Sequence, residues 1–287
     1  MKIKIKKSNM GTYNLLKGKR GIIFGALDEN SIAWKVAIRA KEEGANFVLT
    51  NSALALRRKE IFELAKQTDT HVIATDITEV SELENLFKES MKILGGKIDF
   101  VLHSVGMSPN MRKNIPYTEL NYDYMNKTLD VSAISLHKVL AVAKKLDAIN
   151  EEGSVVTLTY IAAHRTFSNY SDMANAKSIL ESIVRQFGYH YGVAKKVRIN
   201  SISQSPTKTT AVKGVSGFNA FFDYANSMAP LGNADAESCA NTCVFLFSDL
   251  SKMITMQTIY NDGGFSSMGI SNELINQHVD STCSEDK

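Results

Sequence analysis

The chain has 287 residues, 44% of them apolar, and a formal charge of +3, enough to bury the core of one large α/β domain. Four lysines and no acid stand in the opening "MKIKIKKSN", so the rest is near neutral; without a basic helix or stripe it argues against nucleic-acid binding. No apolar run reaches the roughly 18 residues of a membrane-spanning helix, the interleaved charge of the opening is unlike a signal peptide, and three cysteines make no disulfide framework; a cytoplasmic protein is expected.

Short β-branched runs alternate with longer stretches apolar at three- and four-residue steps, the pattern of parallel strands joined by crossover helices. After a flexible basic arm at 1–14, the first strand is expected at 21–25 and runs into "GALDENSIA". There Gly25 permits a tight turn, and Ser31 and Ala33 open a helix whose terminal N–H groups suit a pyrophosphate. Only one glycine of G-x-G-x-x-G is present, so this turn alone does not establish a nucleotide site. The second strand, at 46–50, ends in Asn51 and Ser52, where a dinucleotide fold often carries an acid for the ribose hydroxyls. Arg57 and Arg58 follow one helical turn on, placed to meet a 2′-phosphate. The third, at 71–75, ends at Asp76, which either accepts from an adenine amine or caps the next helix.

The fourth strand, at 98–104, ends in "HSVGMSP". Gly106 admits close approach of a flat ligand beside the topological switch point. His103 and Ser104 face opposite sides of a strand, so His103 is read as a buried, satisfied histidine. Strands at 154–160, 197–203 and 257–262 complete the expected fold: a single doubly wound Rossmann-like α/β domain over 15–272, a seven-stranded parallel sheet with helices on both faces, then a polar tail at 273–287. The stretch 207–230, "TKTTAVKGVSGFNAFFDYANSMAP", breaks the regular beat and reads either as a packed helical excursion or as a mobile cover over a ligand. Cys239 and Cys243, four apart on one helix face, lack companion ligands and read as core, not metal; Cys283 falls in the polar tail.

The chemistry concentrates in "NYSDMANAK", just past the fifth strand. Seven helical steps of about 100° would bring Lys177 back to the face of Tyr170, and a nearby ammonium would lower the phenol's pKa and give a usable proton donor. A second pair, Tyr191 and Lys195, has the Y-x-x-x-K spacing. It precedes the sixth strand, at the amino edge of the sheet, and is read as structural.

With these residues the chain resembles the short-chain dehydrogenase/reductase superfamily and, within it, the enoyl-acyl-carrier-protein reductases of bacterial type II fatty acid synthesis. The likeness runs from "LLKGKRGIIFGALDENSIAW" to "FSDLSKMITMQTIYNDGGFS". Its most specific part is "TYIAAHRTFSNYSDMANAK", with Tyr160 and Tyr170 ten apart and then Lys177. The resemblance implies NADH-dependent reduction of an enoyl thioester, NADPH remaining open. It also implies acyl carrier protein as partner and a homotetramer. Tyr170 would bond the thioester carbonyl, Lys177 the nicotinamide ribose, and Tyr160 would sit beside the double bond. Cofactor contacts would fall to Gly25, Ser31, Ile32, Ser52, Asp76, Ile77, Val105, Lys177, Thr207, Lys208, Thr209, Thr210 and Ala211, and a substrate-side contact to Ser108. Asp130 stands where many superfamily members carry a relay asparagine, and no relay role is assigned to it. Competing readings are a carbonyl reductase of the same superfamily and a dinucleotide-binding sensor without catalysis.

Overall fold

Strands buried on both faces must be apolar throughout, and the runs "GIIF", "FVL" and "FVL" of the first, second and fourth expected strands meet that demand. The computed structural model describes residues 12–210, 217–273 and 275–276. Most of the basic arm, residues 211–216 of the expected cover, and most of the tail with Cys283 lie outside the described residues. Seven parallel strands form one sheet: β1 (Arg20–Phe24), β2 (Asn46–Asn51), β3 (His71–Ala74), β4 (Ile98–His103), β5 (Ile149–Thr159), β6 (Arg198–Gln204) and β7 (Thr258–Asn261), in the order β3-β2-β1-β4-β5-β6-β7. The chain order reverses between β1 and β4, which makes the carboxyl ends of these neighbours the switch point where such sheets take ligands.

Helices cover both faces. Alternate strand residues Ile22 and Val101 pack with α4 (Val80–Leu94), α7 (Ser135–Lys145) and α8 (Met173–Lys195). Their sequence neighbours Ile23 and Leu102 pack with α1 (Ile32–Glu42), α3 (Glu60–Thr68) and α10 (Ala236–Phe247). This two-sided alternation is the strand period of two serving two cores at once. Cys239 and Cys243 lie wholly inside the second core, as expected, and no group of metal-ligating side chains occurs among the described residues. Shorter helices α2 (Ala53–Leu56), α5 (Pro109–Arg112), α6 (Tyr122–Leu129) and α9 (Phe218–Met228) occupy the connections.

Two boundaries differ from expectation in ways that matter. β5 starts at Ile149, not at 154, because the register against β4 jumps at Ile98/Phe100 and Glu152 takes a left-handed φ of 59°; "INEEG" has no alternation to announce a strand. α8 starts at Met173, so Tyr170 precedes the helix. It sits in a turn, its N–H bonded to Phe167 O at 3.0 Å, and Ser171 between tyrosine and helix has φ 51°. Helical periodicity therefore does not relate Tyr170 to Lys177.

Candidate active site

The first wall of the site is the β1–α1 turn. Gly25 has φ 93°, and a Cβ there would lie 1.9 Å from the carbonyl oxygen of Ser104, so both conformation and space require glycine. Its N–H reaches Thr50 O at 3.1 Å. The Ser31 hydroxyl donates to Asp28 O at 2.7 Å and accepts from Leu27 N at 3.2 Å, which fixes the turn from within. Because that hydroxyl is spent on the turn, no side chain caps the start of α1 at Ile32, and an 11-residue helix presents its N-terminus to the crevice. Asn51 at the end of β2 donates to Ala26 O at 2.9 Å and accepts from Ser52 N; Ser52 caps α2 by accepting from Ala55 N at 3.3 Å. Arg58 points back at this turn, 3.6 Å from the carboxylates of both Asp28 and Glu60.

At β3, Asp76 is exposed and accepts from Thr78 N at 2.9 Å and Thr78 Oγ1 at 2.6 Å. Those bonds hold its carboxyl below the usual range, aided less by Lys138. Asp76 thus closes a local turn, while Glu79 is the residue at the helix start. Ile77 lies in the core against α4, and Val105 packs on the same core from the end of β4. Gly106 is exposed, and a Cβ there would meet nothing closer than 3.9 Å, that neighbour being Lys177 Nζ. No protein atom demands glycine at 106.

Lys177 is 8% exposed and donates to Leu158 O at 2.8 Å. Burial depresses its pKa to about 8, partly offset by Glu181 one turn along α8. Tyr170 bridges the main core and a small aromatic cluster in which its ring lies 5.0 Å from that of Tyr160. Phe167 and Phe221 flank Tyr160 at 5.3 and 6.3 Å. Burial raises the pKa of Tyr170, and burial first, then Tyr170 and Asp262, that of Tyr160. The expectation that Lys177 lowers the Tyr170 pKa is thereby corrected: desolvation dominates, no hydrogen bond joins the two among the described residues, and the phenol is a neutral donor. Tyr160 Oη is buried with no partner among the described residues, an arrangement that proteins seldom leave without a ligand to complete it.

The segment after β6 closes the third side. Gln204 donates to Thr207 Oγ1, Ala234 O and Asp235 O, Thr207 donates to Ser205 O at 2.9 Å, and the Thr209 N–H donates to Thr207 O at 2.8 Å. Lys208 Nζ stands 4.2 Å above the ring of Phe222, and Thr210 shares a cavity of about 390 Å³ with Asp28, Asn30 and Arg58. Ala211 lies outside the described residues. The stretch read as helical excursion or cover contains α9, whose Phe221 packs onto the tyrosine cluster.

Ser108 is buried. It caps α5 by accepting from Met111 N at 2.9 Å and donates to Asp172 at 2.5 Å. Asp172, fully buried, also accepts from Asn110 at 2.8 Å and Thr128 at 2.9 Å, and so ties α5 and α6 to the start of α8 two residues after Tyr170. Sequence reasoning missed this hub, although "SDMANAK" has the form of a helix start. It also missed the π-helical turn at Asp130–Ile134, for which no sequence signal exists. That turn aims Ser132 at Met107, whose N–H and C=O it pairs at 2.9 and 3.0 Å. Asp130 itself pairs with Lys138 at 2.6 Å.

The residues fit a dinucleotide: a turn that only glycine can make, an uncapped helix start, an open face at Gly106 and a buried ammonium converge on one sheet edge. A family model described as enoyl-(acyl carrier protein) reductase matches residues 25–266. The chain belongs to this family. An NADH-dependent enoyl-acyl-carrier-protein reductase of Rickettsia bellii is 34% identical over 266 residues, 92% of this chain and 99% of the relative. One from Rhizobium meliloti is 32% identical over 258 residues, 89% and 93% of the two chains. The crystal structure of the Alistipes finegoldii FabI–NADH complex matches with a TM-score of 0.89 and 59% identity, covering 90% of this chain and 92% of that one.

Proposed function

We propose that the chain catalyses NADH-dependent reduction of the 2,3 double bond of enoyl thioesters on acyl carrier protein, with Tyr170 on the thioester carbonyl and Lys177 on the nicotinamide ribose. The observations that support this reading are two desolvated phenols with ring centroids 5.0 Å apart past the carboxyl end of β5, and a desolvated ammonium lying against the open face of Gly106. NADH, when bound, supplies hydride to the β carbon, and negative charge then develops on the thioester oxygen. A phenol whose pKa is raised by burial stays protonated and donates to that oxygen, and a fixed donor in a dry cleft is worth far more than one in water. Tyr160, lacking a partner for its hydroxyl, is placed to complete the donor set or supply the proton. Lys177 keeps donors to spare beyond Leu158 O, which suits two ribose hydroxyls.

Gly25, Ser31, Ile32 and Thr207 to Thr210 would hold the pyrophosphate, and Ser52, Asp76, Ile77 and Val105 the adenosine side. Arg58, already beside Asp28 and Glu60, has its charge answered, which supports NADH over NADPH. Ser108, with its hydroxyl engaged, would act on the substrate side through the loop it caps. A cytoplasmic homotetramer belongs to the same proposal: Tyr189 and Val193 on α8 expose large apolar surface, and no described helix is long and apolar enough to cross a membrane. Following NADH absorbance with a crotonyl thioester and then an acetoacetyl thioester tests the reaction. Oxidation with the first alone is expected; oxidation with the second alone would assign a carbonyl reductase instead.

A further inference from the structure

Tyr170 packs on the aromatic cluster of Tyr160, Phe167, Phe221 and Phe265, an environment for an acyl chain. Its sequence neighbours Ser168, Asn169 and Ser171 line a cavity of about 240 Å³ together with Asn114, Tyr117 and three apolar residues. Two asparagines, two serines and a tyrosine make most of this lining polar. Ser171 is 6% exposed, yet its hydroxyl has no partner among the described residues. It is held at φ 51°, a backbone conformation that serine seldom takes and that persists where the surroundings enforce it. A buried hydroxyl without a partner, set in a polar cavity, marks a place completed by a ligand's hydrogen-bonding group.

A thioester whose carbonyl meets Tyr170 continues in two directions of opposite character. One is hydrocarbon; the other is the pantetheine arm, which carries two secondary amides. We propose that the cavity between Asn114 and Ser171 receives the amide segment of that arm nearest the sulfur, with Ser171 Oγ and the two asparagine carboxamides pairing its C=O and N–H groups. The proposal rests on Tyr170 facing the thioester carbonyl. It assigns the polar side of the site as the aromatic cluster is assigned to the acyl chain, and it makes the arm part of what the site recognises.

The test compares crotonyl-pantetheine with S-ethyl thiocrotonate, which has no amide, in the full chain and in two variants. Ser171→Ala removes the hydroxyl and keeps the Cβ; Asn114→Gly removes a carboxamide where φ is already 54°, so glycine adds no strain. The ratio of kcat/KM for the two substrates is expected to fall about tenfold in each variant, a loss of about 1.4 kcal/mol. A ratio that stays at the wild-type value, or a parallel loss with both substrates, overturns the assignment while leaving the reductase reading intact. Failure of the unmodified chain to reduce either thioester overturns the reductase reading itself.

Discussion

Two tyrosine–lysine pairs bracket the same long helix in unlike surroundings, and the proposed function uses only one of them. Tyr191 and Lys195, at the end of α8, lie at the amino edge of the sheet. The Tyr191 hydroxyl donates to Leu140 O at 2.8 Å, and Lys195 pairs with Asp147 and donates to Ile149 O at 3.1 Å. At its beginning, Tyr170 lies at the carboxyl edge beside a buried tyrosine hydroxyl without a partner among the described residues, and Lys177 lies against a glycine facing open space. The shorter spacing is the more familiar one, yet it belongs to the pair whose polar atoms the protein already satisfies. On the proposed function, what separates the two pairs is which sheet edge each occupies and whether its hydrogen-bonding capacity is used up.

The contrast can be broken most severely at Tyr170. Tyr170→Phe is expected to lower kcat by about 10²- to 10³-fold, the effect of deleting one donor to a developing oxyanion, in steady-state assays with a crotonyl thioester. Lys177→Ala should raise the KM for NADH by about tenfold or more, equivalent to one charge-assisted hydrogen bond of roughly 1.5–3 kcal/mol; unchanged KM would remove the lysine from the cofactor. The lysine also sets a pH dependence. Its pKa of about 8 leaves an ammonium below that value and a neutral amine above it, so the KM for NADH should rise as pH increases beyond about 8. A profile flat to pH 10 would contradict this.

At the other end of the helix the effects should be confined to stability. Tyr191→Phe removes the second hydrogen bond to Leu140 O, a carbonyl already used within α7, and should cost about 0.5–1.5 kcal/mol in denaturant titrations, with kcat as in the wild type. Lys195→Ala breaks a part-exposed ion pair and should cost at most about 1 kcal/mol. Loss of turnover in either variant beyond its loss of folded protein would erase the distinction between the two ends.

The seven strands and their parallel, doubly wound class were legible because parallel strands buried on both faces advertise themselves as apolar runs, and because crossover helices repeat a period near 3.6. Where those strands stop was legible too: Gly25, Ser52, Asp76 and Tyr160 all fall just past carboxyl ends. Environment was not legible. The Tyr170–Lys177 spacing invites a helical explanation, but α8 begins only at Met173, and the phenol's pKa is governed by burial that no local pattern encodes. Asp172 and Ser132 were hidden for a related reason: each acts by tying together segments far apart in sequence, Ser108 to α8 and Met107 to the π-helical turn.

The most direct test of the division of labour between phenol and ammonium is a fluorescence titration of NADH into Tyr170→Phe and Lys177→Ala side by side. The structure predicts a dissociation constant for Tyr170→Phe equal to that of the unmodified chain and a weaker one for Lys177→Ala. Equal weakening in both variants would contradict it, because the tyrosine would then be a cofactor ligand and not the group that meets the thioester.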